Sequence, residues 1–273
     1  MVSYLKFIRV NKELIIRSNS SAVDFALLKD GKLIELNREV DNNKFSVGDI
    51  YAAKIRKPIS GLNAAFVSVG HDKDGFLHYH DLGPNLSTLL KYFKQVSSGR
   101  IKDYSIKNFR FEKEIPKDGS IQDYLQPQQQ ILVQIVKEPI STKGPRVSSE
   151  LSLAGRFMVL IPFSDRISIS QKIESNTEKN RLKKLVKSIR PKGFGIIIRT
   201  VAKNQKVKEL DSDLQQLLGR WKNLCEKFVK VDQYPNKILS EINRSSSILR
   251  DIFDNDFTGI HVDDPEMRQE IMD

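Results

Sequence analysis

Apolar positions change period along the chain. Near the N-terminus, Leu14-Ile15-Ile16 and Val23–Leu28 are apolar runs, and Lys29-Asp30-Gly31-Lys32 supplies an Asp-Gly turn signal ahead of Leu33–Leu36. The polar break Asp41-Asn42-Asn43 follows. From Gly48 the pattern becomes short strands with tight turns: Ile50–Arg56, Ala64–Val69, Gly75–Tyr79 and, much later, Ile131–Lys137. Short strands with Gly-bearing turns predict a small barrel. Residues 83–128 interrupt it as a long insertion of partial order, weakly helical over Ser87–Lys94.

The second half has a helical period. Phe157–Pro162 and Gly195–Thr200 predict buried strands, and Asn176–Arg190 between them an amphipathic helix with Leu182, Leu185, Val186 and Ile189 on one stripe. Lys206–Val229 predicts a longer helix whose stripe of Leu210, Leu214, Leu217, Leu218, Trp221, Leu224 and Phe228 makes Trp221 and Phe228 packing residues. After Pro235, Ile238–Phe253 is expected to be helical and Gly259–Val262 a short strand. The last residues have a helical composition.

Charge sharpens this picture. The chain of 273 residues carries a net +11, with 45 Lys+Arg against 34 Asp+Glu. Residues 251–273 hold eight acids and one base, a sum of −7, so the first 250 carry +18. Residues 181–210 hold ten Lys/Arg and a single acid, Glu209. A block this basic either faces an anionic polymer or is a solvated surface. No apolar run reaches the roughly 18–20 residues of a membrane span. The first fifteen residues lack the apolar core of a secretory signal, and the lone Cys225 forms no internal disulfide, so the cytoplasm is expected. Cys225 is read as a small buried residue. His71, His78, His80 and His261 are scattered without metal-ligand spacing, and Asp263-Asp264 is read as a strand end, so no metal site is expected.

The hairpin Ala64–Tyr79 holds the first candidate chemistry. Alternation puts Ala65, Val67 and Val69 on one face and Phe66 on the other; Phe76 and His78 share a face of the returning strand. A turn centred on Asp72 pairs Phe66 with His78 and makes Phe66 and Phe76 diagonal neighbours, about 7–8 Å apart. Two rings on the polar face of a basic barrel suit base stacking. They suit a second core layer equally well on alternation alone.

The motifs in order resemble the ribonuclease E/G family. Gly48-Asp49-Ile50-Tyr51, Gly61–Gly70 and Gly75-Phe76-Leu77-His78 are similar to its RNA-binding OB-fold. Val133–Glu138 followed by Thr142-Lys143-Gly144 resembles the strand and lysine-bearing loop of that barrel. Leu151–Pro162 and Gly195–Thr200 resemble its 5′-sensor subdomain, while Lys29-Asp30-Gly31 and Ile248-Leu249-Arg250-Asp251 match a split ribonuclease-H-like subdomain. The resemblance covers nearly the whole chain. It implies an α+β fold: a five-stranded OB-fold barrel inserted in a split ribonuclease-H-like scaffold, with an α/β 5′-sensor subdomain. The implied boundaries are 1–37 and 243–273 for the scaffold, 38–148 for the barrel with its insertion at about 83–128, and 149–242 for the sensor.

By the same resemblance Phe66 and Phe76 contact RNA, Lys143 is the basic loop contact and Lys137 a weaker one. Arg199 and Thr200 grip a 5′-monophosphate, in a pocket shaped by Gly155 and Val159. The implied function is an endoribonuclease acting on single-stranded RNA in RNA processing and decay, with Mg²⁺ as cofactor of the intact enzyme and a homo-oligomeric assembly. Its two catalytic aspartates are expected beyond residue 273, so no catalytic residue, no metal and no cleavage are expected of this chain itself. Gln171-Lys172 stands where the family has paired arginines, which weakens the expected 5′-phosphate preference. The alternative is a free-standing, non-catalytic single-stranded RNA-binding protein.

Overall fold

A computed structural model describes residues 11–19, 22–40, 45–240 and 257–272. They fall into two compact units, one from the described residues at the two chain ends and one from residues 45 to 240. In the first, strands β1 (Lys12–Asn19), β2 (Ala22–Lys29) and β3 (Lys32–Val40) form a meander, and β14 (Phe257–Val262) pairs in parallel with β1. The sheet thus joins segments from opposite ends of the sequence. Asp30 and Gly31, both at positive φ (51° and 74°), make the two-residue turn that sets Lys29 opposite Lys32. That geometry suits the right-handed strand twist, and Asp-Gly adopts it at little cost. Leu14, Ile16 and Phe25 form a small core, while Ile15 between them is 40% exposed, as strand alternation requires.

The second unit contains a closed five-stranded mixed barrel, an α+β OB-fold. Around it run β4 (Ile50–Ile59), β5 (Ala64–Ser68), β6 (Gly75–His78), β8 (Arg146–Ser148) and β7 (Gln130–Lys137), which pairs back onto β4. The β6–β8 pairing is parallel and the others antiparallel. Four of these strands are the ones read from the sequence. The fifth, β8, spans three residues, too few to show a period.

The expectation of a helix over Ile238–Phe253 is corrected where it can be seen. Ile238 and Leu239 lie on strand β13 (Asn236–Leu239), antiparallel to the start of β4, and residues 241–256 lie outside the described residues. A short apolar run has no intrinsic preference between the two states, and here the open side of β4 supplies the strand partner.

Beyond the barrel, a second sheet has the order β9 (Leu153–Ala154), β10 (Met158–Pro162), β12 (Phe194–Ile198), β11 (Ile167–Ile169). Helices α2 (Asn176–Ile189) and α3 (Val207–Val229) match the predicted spans within a residue or so at each end. One apolar core runs beneath the barrel and this sheet alike. Trp221 and Phe228 are buried in it, Trp221 among Tyr92, Phe93, Phe163 and Phe194, so both are packing residues. Cys225 is fully buried beside Tyr92, and burial pushes its thiol up to about 12.

The insertion is more ordered than its sequence suggests. Helix α1 (Leu86–Ser97) buries Leu86, Leu89, Tyr92, Phe93 and Val96. The irregular chain after it buries Ile106, Ile121 and Leu125 in the same core. Asn63 pins it: its side chain donates to Gly119 O and accepts from Ile121 N, at 2.9 and 2.8 Å. In the C-terminal helix α4 (Pro265–Met272), Asp264 accepts from the Met267 amide at 2.8 Å as a cap.

Candidate nucleic-acid interface

The barrel presents its rings through strand parity. Ala65 and Val67 of β5 and Gly75 and Leu77 of β6 point into the core, so Phe66 and Phe76 emerge half-buried on the outer face. Their register differs from the expected one. Phe66 pairs directly with Phe76, and Ala64 with His78, because the turn centres on His71 rather than Asp72. Gly70 (φ 85°) and a Lys73 amide donating to His71 Nδ1 close that turn. A two-residue slip preserves faces, so the division of residues between faces was read correctly and the pairing was not. Whether the ring face was exposed, which alternation left open, is answered by the half-buried state of both rings. The rings meet edge to face with centroids 6.1 Å apart.

The β7–β8 hairpin brings the lysines. Its tip is a two-residue turn in which Ile140 and Lys143 exchange backbone hydrogen bonds, with Ser141 at φ 51°. Phe76 N donates to Pro145 O at 2.8 Å and ties the two hairpins together. A Cβ on Gly144 would lie 2.1 Å from Asp74 O, so only glycine permits this approach. The result is a cleft of about 640 Å³ lined by Phe66, Phe76, Lys137, Lys143, Ile140 and Arg146, among others. All four residues read as RNA contacts therefore line one cavity.

Three neighbours were not read as RNA contacts. Arg146 donates to both Asp81 carboxylate oxygens at 2.8 and 3.0 Å, and those bonds raise its pKa above the ordinary value. His78 and His80 continue the ring row, with Phe76–His78 and His78–His80 centroids 6.4 and 5.0 Å apart. The signal for His78 was present in the sequence, since it shares a strand face with Phe76.

The second constellation lies at one end of the four-stranded sheet. Met158 pairs with Ile198 and Ile169 with Ile198, which gathers Gly155, Arg199, Thr200 and Ser170 at that end. Arg199 Nη1 donates to Gly155 O at 2.9 Å and to Arg156 O at 3.3 Å. Thr200 Oγ1 and Ser170 Oγ are 2.9 Å apart. Val159 pairs with Ile197 on the outer sheet face, since its neighbours Met158 and Leu160 point into the core. Gln171 and Lys172 are exposed just after Ser170.

Behind this end stands Asp213 of α3, which sequence reasoning missed. Its buried carboxylate accepts from the amides of Arg156, Phe157 and Met158 at 2.9, 2.9 and 3.1 Å. A Cβ on Gly155 would come within 2.6 Å of it. An acid between Leu210 and Leu214, inside an apolar stripe, was the available signal.

The paired acids Asp263 and Asp264 are both engaged by backbone amides. Asp263 Oδ1 accepts from the Ser18 amide at 2.7 Å, and Asp264 caps α4. Among the described residues no group of three or more His, Cys, Asp or Glu is placed to hold a metal ion. Nor, among the described residues, is any helix long and apolar enough to cross a membrane.

Residues 152–273 match the model of the Ribonuclease E/G family. The chain is 31% identical over 251 residues to Ribonuclease G of Escherichia coli K12, covering 92% of this chain and 47% of that protein. It is 30% identical over 253 residues to Ribonuclease G of Haemophilus influenzae, with the same coverages of 92% and 47%. It is 31% identical over 218 residues to Ribonuclease E of a Nostoc species, covering 80% of this chain and 28% of that protein. The chain thus spans about half the length, or less, of these curated relatives.

Proposed function

Because the chain belongs to the ribonuclease E/G family, we propose that residues 45–240 are the RNA-binding and 5′-monophosphate-sensing part of an endoribonuclease that acts on single-stranded RNA in RNA processing and decay. The observation that supports this reading best is the cleft that gathers Phe66, Phe76, Lys137 and Lys143. Rings stack bases of any sequence, and ammonium groups neutralise phosphates without needing a fixed approach. The barrel offers both side by side, the rings on β5 and β6 and the lysines on the β7–β8 hairpin.

The sheet end supplies the proposed 5′ sensor. Arg199 is a five-donor planar fork held at the end of a buried strand, beside the Thr200 hydroxyl. A terminal phosphate carries more charge than an internal one, so such a group favours it. On family grounds we place the sheet built from both chain ends in a ribonuclease-H-like scaffold. On the same grounds the intact protein is a cytoplasmic homo-oligomer whose magnesium-held aspartates lie outside the described residues.

The test is fluorescence anisotropy with labelled single-stranded RNA and the purified 273-residue chain. Wild type binds; a Phe66→Ala/Phe76→Ala variant is weaker by about 1–3 kcal/mol for each lost stack. Unchanged affinity would remove the cleft from the reading. Mg²⁺-dependent cleavage by the chain alone, free of contaminating nuclease, would overturn the division between binding here and cutting elsewhere.

A further inference from the structure

The basic block at 181–210 is only partly used by the sites above, and α2 carries its densest portion. Leu182 and Val186 are buried on the inner face of this helix. Lys183, Lys184 and Lys187 are exposed on the outer face, with Lys179 half-buried one turn earlier. Lys179, Lys183 and Lys187 stand four residues apart, so they form one row about 12 Å long. Like charges at this spacing oppose helix formation.

Nothing on the helix offsets them. Its single acid, Glu178, is engaged by Arg181 through two bonds of 2.7 Å and by the Asn204 amide at 2.8 Å. Among the described residues no ion pair engages these lysines. Asp165, which precedes the helix in sequence, lies 3.5 Å from Arg190 just past its end, and the first acid after the helix is Glu209.

The row also has a direction. β11 and β12 are parallel, so α2, which connects them, runs back between their ends. Its first turn therefore lies at the end of the sheet that carries Arg199 and Thr200. The bonds from Arg181 to Gln205 O (3.0 Å) and from Asn204 N to Glu178 fix that placement. Exposed Lys203 directly precedes Asn204 in the chain.

The chemistry of the face selects its partner. Every outward position, from Asn176 through Asn180 to Ser188, is polar or cationic. A protein interface of any strength needs aromatic or aliphatic anchors and is depleted in lysine. A membrane-surface helix needs apolar residues to insert. A row of flexible ammonium groups without anchors or base readers suits a phosphodiester backbone.

We propose that the lysine face of α2 is a second, sequence-independent RNA contact, tracking the backbone of the strand outside the barrel cleft. This rests on the reading of the chain as an RNA binder, but on neither the barrel cleft nor 5′ sensing. The test compares wild type, Lys183→Gln/Lys184→Gln/Lys187→Gln and the matching Lys→Arg variant, each as the full 273-residue chain. The ligand is 5′-hydroxyl single-stranded RNA, measured across a salt series.

Each phosphate neutralised on a single strand contributes about 0.7 to the log–log salt slope. The glutamine variant should therefore lose about 2 from the magnitude of the slope, and the arginine variant should retain it. The Phe66→Ala/Phe76→Ala variant should lose affinity with its slope nearly intact, which separates the two surfaces. An unchanged slope in the glutamine variant, with wild type binding RNA normally, overturns the inference and leaves the functional reading standing. Loss of binding to vesicles of anionic lipid, with RNA binding unaltered, overturns it in favour of a membrane surface. Wild type that binds no RNA overturns both.

Discussion

The barrel cleft and the end of the four-stranded sheet differ in where their side chains spend their hydrogen bonds. The cleft presents groups outward: two half-buried rings and two exposed lysines on paired hairpins. At the sheet end the groups are committed to the protein. Arg199 binds the carbonyls of Gly155 and Arg156, and Asp213 holds the three amides that follow. The first surface is separable from the fold that carries it. The second is part of what keeps the fold in shape, so its substitutions should read out in stability as well as in recognition.

The largest effect that would sharpen this contrast is Asp213→Ala. It strands three amide donors, two of them fully buried, at roughly 1–3 kcal/mol for each buried donor. Urea denaturation should show a loss of about 3 kcal/mol or more, whereas Phe66→Ala should cost about 1 kcal/mol or less. Equal losses would break the comparison. Next comes Gly144→Ala. Its methyl would meet Asp74 O, so the β7–β8 tip must shift. We expect about 1–3 kcal/mol of destabilisation, as for other overpacking changes, and RNA affinity as low as in the double-phenylalanine variant. Wild-type affinity would show that the two hairpins act separately.

A smaller effect is expected at Arg199. Arg199→Ala should abolish any preference for 5′-monophosphate over 5′-hydroxyl RNA and leave internal binding nearly intact, in paired anisotropy titrations. A preserved preference would place the sensor elsewhere. Where wild type itself shows none, Gln171 at the site of the family's paired arginines is the residue to change first. The smallest effect concerns pH. The hydrogen bonds from Arg181 lower the Glu178 carboxyl to about 2 from 4.5. Because the folded value is depressed, its contribution to stability is full above about pH 4.5 and is lost as pH falls toward about 2. Glu178→Gln should flatten that part of an acid-unfolding profile, and an unaltered profile would assign the pH dependence to other carboxylates.

Legibility in the sequence followed local order. The faces of β5 and β6, the Asp-Gly turn and helices α2 and α3 all follow from spacing over a few residues, and each is where that spacing placed it. What stayed illegible depends on contacts far apart in the chain. β8 is three residues whose strand character comes from pairing with β6 and β7. β13 is a strand because β4 has a side to offer. The insertion gains order from Asn63, some 56 residues before the glycine it holds. Asp213 reaches amides 55 to 57 residues away. Of the sites, parity alone grouped Phe66 with Phe76 on one face but did not say whether that face was exposed. The grouping of Arg199 with Gly155 came from family resemblance, since no local pattern joins residues 44 apart.

The missing side chain of Gly144 has a further consequence. With the basic tip latched to the ring-bearing hairpin through backbone contacts, the cleft is formed by folding alone, and on the proposed reading it exists before RNA arrives. The entropy of ordering a loop is then already spent in folding, and only the nucleic acid has to be immobilised on binding. Association through this face should accordingly be fast and limited by encounter. Its temperature dependence should report unstacking of the free RNA rather than any rearrangement of the protein.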